Sequence, residues 1–213
     1  MPTIPTTEID MAPFIYLASQ SPRRSQLLQQ LGVAHELLLA DAEEDAESLE
    51  IAFNNESPMA YVKRVTALKL EASVARMQRR GLPAAPILCA DTTVAKGRVI
   101  YGKPESETDA VRMLTALSGA THRVLTAVSI SSGASGKQRL QAVSESKVTF
   151  AKMSKAQIAR YVATGEPMGK AGSYAVQGGA AAFISTISGS YSGIMGLPMF
   201  ETAQLLRGVG ISI

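Results

Sequence analysis

The chain has 213 residues, of which 46% are hydrophobic and 18% are charged, and its formal net charge is +3. This length and composition predict a globular fold of one large domain or two small lobes and exclude wholesale disorder. The small positive excess is compatible with an anionic substrate but is too weak to indicate nucleic-acid binding by itself.

Cysteine and histidine are scarce, which excludes several kinds of site. The single cysteine, Cys89, cannot form an internal disulfide, and His35 and His122 are too far apart in sequence to form a helical zinc motif. A reducing, cytoplasmic location is therefore the default expectation. No apolar run approaches the length of about 18 residues needed to span a membrane. Residues 1–13 do not resemble a signal peptide, so we expect a flexible polar tail followed by a single domain over 14–213.

The start of the chain alternates strand and helix signals. Residues 14–18 form a short apolar run that is typical of a buried strand. Ser21 and Pro22 then suit the N-cap and the first position of a helix, which we expect to stop at Gly32. A second strand is predicted over residues 33–39.

An acidic stretch over residues 41–50 separates this part from the next helix signal. Ser57 begins that helix in the same way as the first, and its apolar pattern ends near residues 80–83. The continuous apolar run at residues 87–90 indicates a strand that is covered on both faces. We expect this strand to end at Asp91.

Turn residues and helix caps divide the second half of the chain as well. We expect a strand or hairpin over 94–101, a helix from Ser106 to Leu117, strands over 124–130 and 140–150, a helix from Ser154 to about residue 163, a strand over 180–187 and a helix from Pro198. Strands and helices that alternate early, with a pair of strands in the middle, indicate an α/β fold with a mixed sheet.

Two arginines stand at the start of the first predicted helix. A helix N-terminus carries a partial positive charge, so Arg23 and Arg24 oppose the helix dipole there. The arrangement is favourable if an anion such as phosphate binds between them. The alternative is that both side chains point into water or pair with the acidic stretch at residues 41–50.

Other charged residues suit a site at the edge of the sheet. Asp91 follows an apolar strand, where a carboxylate can act as a metal ligand or general base, but aspartate is also a common turn former. Lys69, Lys103 and Lys170 could contribute cations, although each could equally be a solvated charge. The segment around Lys170 is not a phosphate-binding P-loop, because its spacing is one residue short and Ala171 offers no hydroxyl.

Six short motifs occur in a fixed order along almost the whole chain, from Tyr16 to Leu206. They are LASQSPRR at 17–24, ADT at 90–92, GKP at 102–104, LSG at 117–119, KAGSYAVQG at 170–178 and GLP at 196–198. Together they resemble the Maf family of nucleoside triphosphate pyrophosphatases. The resemblance implies an elongated, strongly twisted mixed sheet flanked by helices, with a cleft between two lobes. It also implies cleavage of a nucleoside triphosphate between the α- and β-phosphates with a divalent cation, Mg²⁺ or Mn²⁺.

The family's cleft residues map onto this chain one by one. The resemblance implies that Asp91 is the catalytic proton acceptor. It implies substrate binding by a further set of polar residues, which are Ser19, Arg24, Glu44, Lys69 and Lys103. Glu43 could take the place of Glu44 after a slip of one residue. The metal ligands are not identified by the resemblance.

Three positions distinguish the branches of the family by base preference. Arg23, Thr92 and Gln177 match the branch that acts on dTTP and UTP, whereas the branch for 7-methyl-GTP carries Trp, Gln and Glu there. The Gln177 amide can donate and accept hydrogen bonds, which suits the O4 and N3–H edge of thymine or uracil.

These features predict a dTTP/UTP pyrophosphatase, including a possible action on modified pyrimidine triphosphates. Two alternatives stay open: a pyrophosphatase for another base, such as 7-methyl-GTP or a purine, and a non-enzymatic nucleotide-binding regulator of septum formation. We expect a small-molecule substrate, no stable nucleic-acid partner and no membrane partner. A homodimer is a reasonable expectation for the family.

Overall fold

The computed structural model describes residues 14–41, 44–45, 48–132 and 138–213. The predicted tail at residues 1–13 lies outside these ranges. The α-helices and β-strands within them are β1 (Ile15–Leu17), α1 (Pro22–Gln30), β2 (His35–Leu37), α2 (Pro58–Arg79), β3 (Ile87–Lys96), β4 (Val99–Tyr101), α3 (Glu107–Leu117), β5 (Thr121–Ser131), β6 (Arg139–Phe150), α4 (Lys155–Val162), β7 (Ile184–Ser188), α5 (Tyr191–Met195) and α6 (Met199–Gly208). Short 3₁₀ helices occur at Ser48–Glu50, Ala171–Ser173 and Gly179–Phe183. No helix in the described ranges is long and apolar enough to cross a membrane.

The strands form one mixed sheet. Its order is β2-β1-β3-β5-β6-β7, and β4 pairs with β3 outside this path. β1 is parallel to both β2 and β3, whereas β3, β5, β6 and β7 pair antiparallel in succession. The helices cover this sheet, so the predicted α/β class with a mixed sheet flanked by helices is confirmed.

Side-chain alternation along β3 sends neighbouring residues to opposite layers of helices. Cys89 packs with residues of α2, whereas Leu88 packs with residues of α1 and α6. Val94 also lies on the face opposite α2 and belongs to an apolar cluster that includes α3 and α4. Asp91 and Thr92 therefore point to different sides of the sheet.

The strand that carries Asp91 is longer than the sequence predicts. We expected it to end at Asp91, but β3 runs for ten residues and Asp91 lies near its middle. The cause is the neighbouring strand β5, which pairs with β3 from Ile87 to Ala95 and holds the polar residues in extended backbone. Thr92 and Thr93, which are β-branched, suit that conformation.

On its other edge, β3 changes partner, and the change leaves a gap in the sheet. β1 pairs with β3 at Ile87 and Leu88, and β4 pairs with it from Val94 onward. Between these two pairings, no described strand covers that edge of residues 89–93. Ligands of α/β proteins often bind where the strand order changes in this way. The gap places Asp91 and Thr92 beside the start of α1.

Local cap signals are confirmed, while other expectations need correction. The side chains of Ser57, Ser106 and Ser154 accept hydrogen bonds from the first turns of α2, α3 and α4. Ser21 stands at the N-cap of α1 as predicted but makes no side-chain cap bond. The expected strand over 180–187 is wrong in its first part, because a short 3₁₀ helix over Gly179–Phe183 precedes β7. α5 was not predicted.

Candidate active site

The start of α1 brings two arginines to the gap in the sheet. Arg24 Nε donates to the Gly196 carbonyl oxygen at 2.8 Å, Nη1 donates to Ser19 Oγ at 3.0 Å, and Nη2 reaches Thr92 Oγ1 at 3.4 Å. Arg23 Nε donates to the Met195 carbonyl oxygen at 3.3 Å. Both guanidinium groups are thus held at the helix N-terminus, where backbone and side-chain charge together favour an anion.

The environment of Arg24 shows how firmly this group is built into the site. Loss of hydration lowers the pKa of Arg24, and the charge of Asp91 partly opposes that shift. Three hydrogen bonds fix the plane of its guanidinium. A fixed, planar fork of this kind is suited to phosphate oxygens.

Across the gap, Lys69 of α2 contacts two carboxylates. Its Nζ lies 2.5 Å from Asp91 Oδ1 and 2.8 Å from Glu50 Oε1. Burial alone would lower the pKa of Lys69, but the negative charges of Asp91 and Glu50 outweigh that effect and raise it. The ammonium therefore stays charged at neutral pH and holds Asp91 in place.

Glu50 joins this cluster from the segment between β2 and α2, and sequence reasoning missed it. Its Oε2 also lies 3.1 Å from Lys103 Nζ, and its backbone carbonyl accepts a hydrogen bond from the Tyr61 hydroxyl at 2.8 Å. Burial favours the neutral carboxyl, but Lys69 and then Lys103 lower the pKa of Glu50. No sequence signal separated Glu50 from the other acidic residues at 41–50, because its position depends on how the segment folds back onto α2.

Glu44 lies beside the site rather than among the residues that line it. Its carboxylate contacts Arg76 Nη2 at 2.5 Å and Arg79 Nη2 at 2.6 Å. The hydrogen bonds from Arg76 are the main cause that lowers the pKa of Glu44 to about 2. Arg76 itself lines the pocket, so the Arg76 side chain connects Glu44 to the site. Glu43, the alternative residue, lies outside the described ranges.

These groups surround a pocket of about 640 Å³, a volume typical of small-molecule sites. One part of its wall is charged and contains Arg23, Arg24, Glu50, Lys69, Arg76, Asp91, Lys103 and Lys170. Another part is apolar and is formed by Val94, Val124, Tyr174, Val176 and Ile194. The two parts suit the two ends of a molecule that is anionic at one end and flat and less polar at the other.

The three positions tied to base preference are placed differently from one another. Arg23 and Thr92 line the pocket, and Thr92 Oγ1 also lies 2.9 Å from Thr126 Oγ1. Gln177 is exposed and follows Val176, which lines the apolar part. A role for Gln177 in reading the base stays a prediction.

The arrangement can bind a polyanion and move a proton. Six cationic side chains line the pocket: Arg23, Arg24, Lys69, Arg76, Lys103 and Lys170. Asp91 is the carboxylate set into the strand beside them, with its Oδ1 on Lys69. An ionised carboxylate among phosphate-binding cations can orient and deprotonate an attacking water.

Comparisons with known proteins identify relatives of this chain. A family model described as Maf-like protein matches residues 14–209. A dTTP/UTP pyrophosphatase of Albidiferax ferrireducens is 66% identical over 203 residues, which cover 95% of this chain and 100% of the relative. The protein of that name from Polaromonas sp. is 62% identical, covering 95% of this chain and 98% of its own. The one from Cupriavidus metallidurans is 59% identical, covering 94% and 99%.

Proposed function

This chain belongs to the Maf family, and we propose that it hydrolyses dTTP and UTP between the α- and β-phosphates, releasing the nucleoside monophosphate and pyrophosphate. The observation that carries the proposal is the contact of Lys69 with Asp91 in a pocket that Arg24 faces from the other side of the gap. That pocket pairs a general-base candidate with a cationic wall. The high identity to relatives named dTTP/UTP pyrophosphatase supports the substrate class.

The cationic side chains bind the triphosphate in this proposal. Arg23 and Arg24 act at the start of α1, with Ser19 holding Arg24 Nη1. Lys69 and Lys103 act from the opposite wall. Phosphoryl transfer adds charge to the phosphoryl oxygens as the bond breaks, so fixed cations stabilise the transition state more than the ground state.

Asp91 activates the water that attacks phosphorus. Its carboxylate accepts the proton of that water, while the contact with Lys69 Nζ fixes the direction of the carboxylate. The middle of a long strand is a rigid place for this group, because β5 pairs with β3 on both sides of Asp91. Rigid placement is needed since catalysis here depends on positioning.

A divalent cation, Mg²⁺ or Mn²⁺, fits this site as a partner of the substrate phosphates. The described residues contain no group of three His, Cys, Asp or Glu side chains that could hold a metal ion. Mg²⁺, however, is commonly bound by one or two carboxylates together with phosphate oxygens and water. Asp91 and Glu50, which share the Lys69 ammonium, would hold it. When bound, the cation would neutralise charge on the phosphates.

Base preference belongs to the apolar part of the pocket and its rim. Val94 and Tyr174 offer apolar surface for the base, and Thr92 lies at the junction with the charged part. Arg23, Thr92 and Gln177 carry the residue types that accompany dTTP and UTP in the family resemblance. A hydrogen bond from Gln177 to the O4 or N3–H edge would complete the recognition.

A substrate panel tests the proposal. Pyrophosphate release would be measured from dTTP, UTP, CTP, GTP and 7-methyl-GTP, with Mg²⁺, with Mn²⁺ and with a chelator. We expect fast turnover of dTTP and UTP that the chelator abolishes. Preference for 7-methyl-GTP or a purine would assign another base, and no turnover of any triphosphate by folded, metal-supplemented protein would favour the binding regulator. We also propose that the protein is cytoplasmic and forms a homodimer.

A further inference from the structure

The carboxylate of Glu166 connects the segment that forms one wall of the pocket to Gly179 and to helix α4. Its Oε2 accepts a hydrogen bond from the Gly179 N–H at 3.0 Å, although the two residues are 13 positions apart. Its Oε1 accepts a hydrogen bond from the Tyr161 hydroxyl of α4 at 2.8 Å. The segment 166–179 is thereby closed into a loop and tied to a helix.

The close fit at this point requires a glycine. A Cβ built on Gly178 would lie 2.1 Å from Glu166 Oε1, which is far inside any allowed contact. The φ angle of Gly178 is −104°, which any residue can adopt, so the requirement comes from packing and not from backbone conformation. The carboxylate therefore rests directly against the backbone that follows Gln177.

The loop closed by Glu166 lacks a regular hydrogen-bond ladder of its own. It contains a short 3₁₀ turn over Ala171–Ser173, in which Gly172 and Ser173 have φ angles of 69° and 62°. Lys170 Nζ donates to the Glu166 backbone carbonyl, which adds a second tie within the loop. Other contacts hold the middle of the segment: the Gly172 N–H donates to the Gly102 carbonyl oxygen at 3.0 Å, and the Tyr174 hydroxyl lies 2.7 Å from His122 Nε2. The Glu166 contacts fix its far end, at Gly178 and Gly179.

Several of those side chains form the wall of the pocket. Lys170, Ala171, Tyr174 and Val176 line it, and Val176 and Tyr174 belong to its apolar part. Gln177 lies between the lining residue Val176 and the glycine pressed against Glu166. A movement of the 178–179 backbone would shift the adjacent Val176 side chain and the amide of Gln177 together.

We propose that Glu166 is a positioning residue for base recognition, which holds Val176 and Gln177 where a pyrimidine base is bound. The inference rests on the proposed function and deepens it, because it assigns the geometry of the base-binding wall to a carboxylate that does not touch the substrate. Burial, and then Glu166, raise the pKa of Tyr161, so its hydroxyl remains a donor throughout the neutral range.

The test compares Glu166→Ala with the matched variant Glu166→Gln. Alanine removes both anchors. Glutamine can keep them, because its carbonyl oxygen can accept from the Gly179 N–H while the Tyr161 hydroxyl accepts from its amide. UTP and CTP are the substrates, since they share ribose and triphosphate and differ only at the base edge; CTP is measured at high enzyme concentration.

We expect Glu166→Ala to raise KM for UTP about tenfold with kcat within about twofold, and to leave kcat/KM for CTP nearly unchanged. The preference for UTP over CTP then falls about tenfold, and Glu166→Gln restores it. Equal losses for both substrates would show a merely structural role and overturn the inference. A glutamine variant as impaired as the alanine variant would also overturn it.

If the alanine variant fails to fold, Tyr161→Phe decides the question because it removes a single anchor and keeps the ring. We expect its preference for UTP over CTP to fall about threefold, and an unchanged preference would overturn the inference. Absence of UTP hydrolysis by the unmodified protein would overturn the proposed function and this inference with it. Equal losses in the variants, with an active unmodified protein, would overturn the inference alone.

Discussion

Lys69 Nζ lies 2.5 Å from Asp91 Oδ1 and 2.8 Å from Glu50 Oε1, so one ammonium holds two carboxylates at the gap between β1 and β4. Asp91 comes from the middle of β3 and Lys69 from α2, and both belong to rigid elements. Removing one partner from a half-buried cluster of this kind leaves an uncompensated charge. The cluster therefore links the stability of the site to its chemistry.

Replacing Asp91 with asparagine should slow catalysis strongly while keeping the fold. The amide has the size of the carboxylate but cannot accept a proton from water, so we expect the rate of pyrophosphate release from dTTP to fall at least about a hundredfold. Thermal unfolding of the variant serves as the control for folding. A rate near that of the unmodified protein would remove Asp91 from the mechanism.

Lys69 should matter for activity in a way that a neighbouring lysine does not. Lys69→Gln removes the cation that faces both carboxylates and the substrate phosphates, so we expect kcat/KM for dTTP to fall about tenfold or more. Lys63→Gln is the matched control, because Lys63 lies on the same helix and is exposed. Similar kinetics for the two variants would contradict the role given to Lys69.

The planar guanidinium of Arg24 should not be replaceable by another cation. Arg24→Lys keeps the charge but cannot reach Gly196, Ser19 and Thr92 together. We expect the free energy of unfolding to fall by about 1–3 kcal/mol, since buried acceptors lose their donor. Arg23→Lys, which loses one bond to a carbonyl, should cost less stability. Chemical denaturation compares the pair, and an equal cost would argue against this account of Arg24.

Gln177 offers a test of base reading at an exposed position. Gln177→Glu replaces the donor with a second acceptor, so turnover of dTTP should fall far more than turnover of GTP. The melting temperature should stay unchanged, because the side chain is exposed. Equal losses of turnover for dTTP and GTP would contradict the proposed contact of Gln177 with the base.

The ion pairs of Glu44 predict a loss of stability in acid. Its pKa is about 2 in the folded protein against an ordinary value of 4.5, so the folded state favours the ionised form. The resulting stability is complete above pH 4.5 and disappears as the pH falls through about 2. Glu44→Gln should therefore lower the urea midpoint at pH 7 and have little effect near pH 2.

An exposed ion pair provides the comparison for this effect. Glu71 contacts Arg139 with both side chains about half exposed, so Glu71→Gln should change the urea midpoint little at either pH. Glu44→Gln could instead lower the urea midpoint, relative to the unmodified protein, as much at pH 2 as at pH 7. That result would contradict the link between the Glu44 pKa and stability.

Local signals in the sequence were enough to predict many elements of the fold. Ser57 and Ser106 begin helices because a hydroxyl caps free N–H groups within the next turn, which involves only neighbouring residues. The prediction that the strand ends at Asp91 was wrong because strand length depends on distant residues. A polar residue after an apolar run suggests a strand end, but pairing with the distant strand β5 continues the strand through it.

The parts of the site that could not be predicted from the sequence depend on contacts between distant segments. Glu50 reaches Lys69 and Lys103 only because the 48–50 turn folds back onto α2. The contact of Glu166 with Gly178 joins residues that no local pattern relates. The order of the motifs indicates which charged residues belong to the site, whereas the distances between their side chains depend on the fold.

The most direct test of the account is the identity of the products formed from dTTP. The unmodified protein, supplied with Mg²⁺, would be incubated with dTTP, and all nucleotide and phosphate products would be quantified by chromatography. Cleavage between the α- and β-phosphates predicts dTMP and pyrophosphate in equal amounts, with no dTDP. Formation of dTDP and inorganic phosphate, or no product from folded protein, would contradict the central claim.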